Sequence, residues 1–361
     1  MRIGIVALLS FLLISCGQKA SDANQSQAEQ QQKFKWKLVT TWPKNYPGLG
    51  TAPENFANKV EAMSGGRLSI KVFGAGQLVP AFEVFDAVSQ GTAEMGHGAA
   101  YYWTGKAKAT GFFTSVPFGL NAQEMNGWLH YGGGLELWRE LYEPFNLVPF
   151  AGGSTGVQMA GWFNREINSM EDIKGLKMRI PGLGGDVISR AGGVSVTMPG
   201  GELYTSMQTG VIDATEWVGP YNDLAFGFHQ VAKYYYYPGW HEPGPILELI
   251  VNKQALASLP ADLQAIVEGA ARAVNQDMLD EYTARNNTAL VELVETHGVD
   301  VRKLPDDVIA ELRRLSAEVL EELAEEDELS RRIAESVKAF QKQATAYHGI
   351  SEEDYYQARK Q

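Results

Sequence analysis

The chain predicts an α/β fold, and three observations carry that prediction. Residues 35–42 and 68–73 alternate apolar and polar side chains as strands do, while Phe56, Val60 and Met63 between them keep helical spacing. Phe82, Phe85 and Val88 open a second helix, so the chain begins βαβα, the pattern of a sheet with crossover helices. Two further short strands, one around Arg179 and one running to Glu216 and Trp217, each end in a loop. Strand ends in an open α/β sheet tend to share one crevice.

At 361 residues, 45% apolar and 20% charged, the sequence suits a soluble globular protein of about two domains. Its net charge of -12 repels nucleic acid and anionic membrane surfaces, so neither is an expected partner. Arg2 followed by the apolar residues 3–14, too few to span a bilayer, makes residues 1–16 a secretory signal. Leu13-Ile14-Ser15-Cys16 also resembles the bacterial lipobox, whose cysteine becomes lipid-modified; an ordinary signal peptide with an incidental Cys16 is the alternative. Residues 17–33 are polar without periodicity, as a flexible tether would be. The rest of the chain has no cysteine and forms no disulfide.

Residues 93–103 begin with small side chains and end in aromatics. They read either as a buried strand with aromatic packing or as a ligand wall to which Tyr101 and Trp103 contribute. Residues 121–143 read as helix, with Trp128, Leu135, Trp138 and Leu141 facing the core. Two apolar runs, 147–151 and 157–163, flank the bend Gly152-Gly153-Ser154-Thr155-Gly156, a plausible crossing between domains. After a helical turn at 169–174, the strand around Arg179 stops at Pro181 and opens into a glycine-rich loop and a helix over 186–191. A helix over 202–209 closes at Gly210. Residues 233–245 read as an aromatic loop, and 246–251 as a strand returning to the first domain. Helical periodicity runs from Pro260 to His297, and again over 305–347, where Ile309, Leu312, Val319, Ile333 and Val337 form one stripe opposite a solvated acidic face. A stripe of that length predicts packing on a second copy of the chain.

Catalytic signatures fail in context. Gly152 to Gly156 matches G-x-S-x-G, but a strand rather than a helix follows the serine. Gly182-Leu183-Gly184-Gly185-Asp186-Val187 is a broken dinucleotide fingerprint, and the six histidines show no metal-ligand spacing. Arg179 and Glu216 survive this sorting. A guanidinium grips a carboxylate through two parallel hydrogen bonds. Glu216 would repel that anion unless a hard cation lay between them. Gln158, Glu216, the Trp217 carbonyl and Glu242 could supply its oxygen ligands.

At these residues the chain resembles the substrate-binding proteins of tripartite ATP-independent periplasmic (TRAP) transporters, over nearly the whole mature length. The stretches that carry the resemblance are VFGAGQL from Val72, GTAEM from Gly91, MEDIKGLKMRIP from Met170 and ELYTSMQTGVIDATEW from Glu202. The run from Ala214 to Tyr221, with Gln158, fits the branch binding 2-oxo or 2-hydroxy monocarboxylates. The resemblance implies a two-lobed periplasmic binding protein fold with a hinge and a long C-terminal helix used for dimerisation. It implies that Arg179 clamps the carboxylate, that Gln158, Glu216, Trp217 and Glu242 hold a metal cation, sodium or calcium, and that Tyr101, Trp103, Trp42 and Asn45 shape the pocket.

The expected protein is thus a non-enzymatic periplasmic receptor that hands a pyruvate- or lactate-like acid to TRAP permease subunits. The first lobe would comprise 34–156 with about 246–290, the second 157–245, and 291–361 would be C-terminal helices. A receptor for a larger aromatic or branched oxo acid, a metal-dependent enzyme acting on a carboxylate, and a sensor subunit are the alternatives.

Overall fold

The computed structural model of the protein describes residues 32–360, so the expected signal segment, Cys16 and almost all of the expected tether lie outside the described residues. In chain order the strands are β1 (Phe34–Thr40), β2 (Leu68–Phe73), β3 (Met95–Gly98), β4 (Leu147–Ser154), β5 (Gly161–Phe163), β6 (Lys177–Arg179), β7 (Val194–Val196), β8 (Ala214–Thr215), β9 (Tyr234–Tyr237), β10 (Ile246–Asn252) and β11 (Asp300–Lys303). They form a five-stranded sheet, β2-β1-β3-β10-β4, and a six-stranded sheet, β11-β9-β5-β8-β6-β7. Each sheet is the centre of one lobe. The βαβ opening gives parallel β1, β2 and β3, joined by helices Thr51–Met63 and Val84–Ser89. Leu38 and Val39, neighbours on β1 and hence on opposite faces, are both buried, because helices cover the sheet on both sides.

The chain passes between the sheets at 155–160, at 238–245 and along helix Ala261–Val291. The first two passages are laced together. Gln158 N–H donates to the Glu242 carbonyl at 3.1 Å, and Gly239 is bare because a Cβ there would lie 2.1 Å from Gln158 O. β10 returns to the first sheet and inserts antiparallel between β3 and β4. The 31-residue helix Ala261–Val291 packs on β4 and helix Thr51–Met63 in one lobe and on helix Pro220–Phe226 in the other. At about 1.5 Å per residue it is long enough to brace both.

The structure corrects several sequence readings. Gly152 and Gly153 lie within β4 rather than in a connecting loop: Gly153 pairs with Leu247 of β10, the register skips Gly152 as at a β-bulge, and their missing side chains admit Met278 and Leu249. The glycines after Pro181 are the first turn of helix Gly182–Arg190 rather than a loop, and Gly182 sits against the Tyr101 ring. Part of the expected aromatic loop is β9, where Tyr235 stacks on Trp162 at 4.0 Å. The edge strand β11 was not foreseen; it lies between the two segments with helical periodicity, inside the stretch 291–361 expected to be C-terminal helices. The single helix expected over 121–143 is two, Ala122–Tyr131 and Gly134–Tyr142, separated where Gly133 takes a left-handed φ of 86°.

The stripe over 305–347 is likewise two helices, Asp306–Glu325 and Glu328–His348. Asp327 starts the second by accepting a hydrogen bond from Ser330 N–H at 2.7 Å. Leu312, Val319, Leu323, Ile333 and Val337 are buried inside their own chain, against helices Gly182–Arg190, Ala122–Tyr131 and Gly134–Tyr142. The length of the stripe therefore does not by itself require a second copy.

Glu248 lies fully buried in the middle of β10, with Trp103 Nε1–H and Tyr142 O–H (2.7 Å) donating to its two oxygens. Burial pushes its carboxyl up to about 7, only partly opposed by those two donors. The folded chain thus holds a proton there that the unfolded chain releases near pH 4.3. This contribution is complete below that pH and is lost as pH rises to 7, a change on the order of 3 kcal/mol. Glu248→Gln is expected to flatten the fall of the urea midpoint between pH 5 and 7.5; an unchanged slope would show that Glu248 does not carry it.

Candidate functional site

β6 and β8 are adjacent and parallel, so Arg179 and Glu216 emerge side by side at their ends, where Glu216 N–H donates to Arg179 O at 3.1 Å. Arg179 does not open to solvent as its strand-end position suggested: it is 1% exposed and Glu216 is 0% exposed. The guanidinium is used on all sides. Nη1 pairs with Glu216 Oε1, Nη2 donates to Tyr102 O–H at 3.1 Å, Nε donates to the Met198 carbonyl at 3.3 Å, and the Trp217 ring lies 5.3 Å from its carbon. Burial is the largest influence and works against this cation, but the facing Glu216 carboxylate together with Tyr102 and Tyr101 outweighs it and holds the guanidinium above its ordinary value.

The passages between the lobes bring in the other groups. Gln158 Nε2 donates to Glu242 Oε2 at 2.8 Å, so these residues, 84 positions apart, face each other at the hinge. Burial, and then the charge of Glu216, push the Glu242 carboxyl well above the usual carboxylate range. Gln158 Oε1 and Glu216 Oε2 are buried without a hydrogen-bond partner. Two carboxyl groups and an amide oxygen, with Glu216 Oε2 and Gln158 Oε1 bare, form a donor set of the kind that hard cations take, and a cation would relieve the repulsion and occupy those oxygens together.

The first lobe supplies the roof. Trp42, Leu49, Tyr101, Tyr102 and Leu247 close over Gln158, Arg179, Trp217 and Glu242 around a space of about 270 Å³. His97 sets the Trp42 ring: Trp42 Nε1–H donates to His97 Nδ1 at 2.9 Å, which leaves Nε2–H to donate to Gly152 O at 3.1 Å. Burial lowers the His97 pKa to about 4, so the ring stays neutral and keeps this tautomer.

Of the residues singled out from sequence, Arg179, Gln158, Glu216, Trp217, Glu242, Tyr101 and Trp42 meet here. Trp103 does not: the short turn Ala100–Trp103 aims it into the core, onto Glu248. Asn45 is exposed at a turn with φ 60°, and Leu49 four residues later reaches the cavity instead. Sequence reading missed Tyr102, because alternation assigns neighbours to opposite sides, whereas a tight turn lets Tyr101 and Tyr102 face the same space. It also missed His241, which lies beside Glu216 through tertiary contact alone: its Nε2 is 3.5 Å from Glu216 Oε2.

A larger surface groove of about 1370 Å³ between Lys108, Asp186, Arg190 and Glu322 lies apart from these groups, and Arg190 pairs with Glu322 along it. The geometry places the convergent polar groups in the smaller cavity.

Comparison with known proteins agrees with this placement. The family described as bacterial extracellular solute-binding protein, family 7, matches residues 38–327. A monocarboxylate 2-oxoacid-binding periplasmic protein of Nostoc sp. is 43% identical over 352 residues, 97% of this chain and 95% of that protein. The crystal structure of a TRAP periplasmic solute-binding protein from Pseudoalteromonas atlantica, with bound sodium and pyruvate, is 43% identical with a TM-score of 0.88, covering 90% of this chain and 99% of that one. A TRAP solute-binding protein from Bordetella bronchiseptica, a mixed-occupancy dimer with copurified calcium and picolinate, is 38% identical with a TM-score of 0.89 over 92% of this chain and 100% of that one. A two-lobed fold, a hinge-side cluster of anionic and amide oxygens around a buried arginine, and a family match over most of the chain lead to one conclusion: this protein belongs to the bacterial extracellular solute-binding proteins of family 7, a family of receptors rather than enzymes.

Proposed function

We propose that the protein is a periplasmic receptor of a TRAP transporter that binds a small 2-oxo or 2-hydroxy acid, pyruvate- or lactate-like, together with a sodium or calcium ion. The observation that carries this reading is the buried Arg179–Glu216 pair with bare oxygens on Gln158 and Glu216 facing Glu242. A cation held by Gln158, Glu216, Glu242 and the Trp217 carbonyl would take up the negative charge now shared with Arg179. Nη1 is then free, and with the second hydrogen of Nη2 it can meet the carboxylate of the acid. The narrow aromatic roof favours a short ligand, and lobe closure about the 155–160 and 238–245 passages would complete the cage. Permease subunits in the membrane are the expected partner, and a lipid anchor at Cys16 would hold the receptor near them.

A larger aromatic acid is the second reading, favoured by the ring faces of Trp42, Tyr101, Tyr102 and Trp217 at the cavity and by the picolinate found with the Bordetella bronchiseptica protein. Dimerisation belongs to the proposal as well. With the 305–347 stripe buried, the surface that supports it is the end of the chain, where Tyr347, Ile350, Tyr355 and Tyr356 are exposed.

Calorimetric titration of the dialysed protein with pyruvate should show binding only with sodium or calcium added, and Arg179→Ala should weaken it by about a hundredfold or more, the loss of two charge-assisted bonds. Binding that ignores both the cations and Arg179 would overturn the bridged-anion site; picolinate binding where pyruvate fails would select the second reading. Removal of residues 347–361 should convert a dimer to a monomer by light scattering, whereas a full-length monomer at micromolar concentration would remove the dimer.

A further inference from the structure

Resting on the cation site just proposed, we infer that His241 is a ligand of that site, giving it a nitrogen donor and hence an affinity for first-row transition ions, zinc foremost, as well as for sodium or calcium. His241 is 2% exposed, and neither of its ring nitrogens has a hydrogen-bond partner. A buried imidazole with both nitrogens bare is costly, since one nitrogen must carry a hydrogen and the other a lone pair with nothing to meet them. The ring is held from behind: a Cβ at Gly184 would lie only 3.0 Å from the His241 Cβ, and Trp240 abuts the ring edge-on with ring centroids 5.5 Å apart.

One donor atom each from Glu216, His241 and Glu242 lies within 4.8 Å of the others, and all three residues are buried. Glu216 divides its oxygens, Oε1 to Arg179 and Oε2 to the side of His241, at 3.5 Å from Nε2. With Gln158 Oε1 the donor set is one nitrogen and three oxygens. Sodium and calcium take oxygen and gain little from an imidazole, whereas zinc, cobalt, nickel and copper gain most from it. A 2-oxo acid offers its carboxylate and keto oxygens as a chelating pair to such an ion, so the ligand class of this second mode is the metal chelate of the same acid.

The test uses tag-free protein dialysed against chelator, with cobalt(II) as a spectroscopic stand-in for zinc. Cobalt should bind with a visible absorption band, zinc should displace it, and His241→Asn should weaken cobalt binding at least tenfold and shift the band. Calcium affinity should fall by a smaller factor than cobalt affinity in the same variant, an equal fall in both overturning the nitrogen-donor role, and melting curves of His241→Asn and His241→Gln report that both fold. An unchanged cobalt affinity and spectrum in either folded variant would overturn the inference and assign His241 to a buried water. Failure of cobalt and zinc to bind where calcium-dependent pyruvate binding is intact would overturn it while leaving the proposed function standing. Cobalt bound through His241 without any pyruvate binding would support the site and count against the acid.

Discussion

Burial of one full positive charge at the junction of two lobes is the constraint on which the rest of this structure depends. Arg179 cannot shed its proton, and at 1% exposure it cannot reach bulk water. Its environment must therefore supply negative charge and hydrogen-bond acceptors on every side. Glu216, the Tyr102 hydroxyl and the Met198 carbonyl do so. Glu216 then places its negative charge beside Glu242, whose carboxyl is held well above its ordinary range by burial and by that charge, so a cation that lets both carboxyls ionise suits the place. The net charge of -12 has little say here, since the local arrangement within a few ångströms outweighs a screened global field.

The supporting parts follow from that need. The lobes meet through aromatic rings, Trp42 against Trp217 at 6.2 Å and Tyr46 against Trp217 at 6.4 Å, which exclude water without adding charge. Asn222 ties the same seam by polar bonds: its side chain donates to Pro47 O at 2.8 Å and its carbonyl accepts from Tyr46 O–H at 2.6 Å. Behind the roof, neutral His97 accepts from Trp42 and the buried Glu248 carboxyl accepts from Trp103, which fixes both rings from inside the first lobe. The polar groups of the cavity are thus backed by a second layer whose own bonds are complete, which pre-organises the site.

Much of the fold was legible in the sequence because it rests on local periodicity: the βαβ opening, the strand 246–251 and the short strands carrying Arg179 and Glu216 all showed in residue spacing. Glycine misled in two places for one reason. It marks either a bend or a close approach, and only the neighbouring atoms, Leu249 and Met278 at β4 and the Tyr101 ring at Gly182, show which. The polar edge strand β11 and the tyrosine-rich β9 were hidden because each is held by strand pairing rather than by an apolar pattern of its own.

For the site, the sequence by itself determined that an arginine and an acid stand at strand ends and that Gln158 and Glu242 offer oxygen donors, since side-chain chemistry is written in the residue types. Tertiary structure alone decided that these groups converge, because Gln158 and Glu242 lie on two separate passages between the lobes and meet only when β10 returns to the first sheet. It also decided that Tyr102 rather than Trp103 touches Arg179, and that His241 stands beside Glu216. Local spacing cannot encode contacts between segments 25 or 77 residues apart; the packing of the two lobes does.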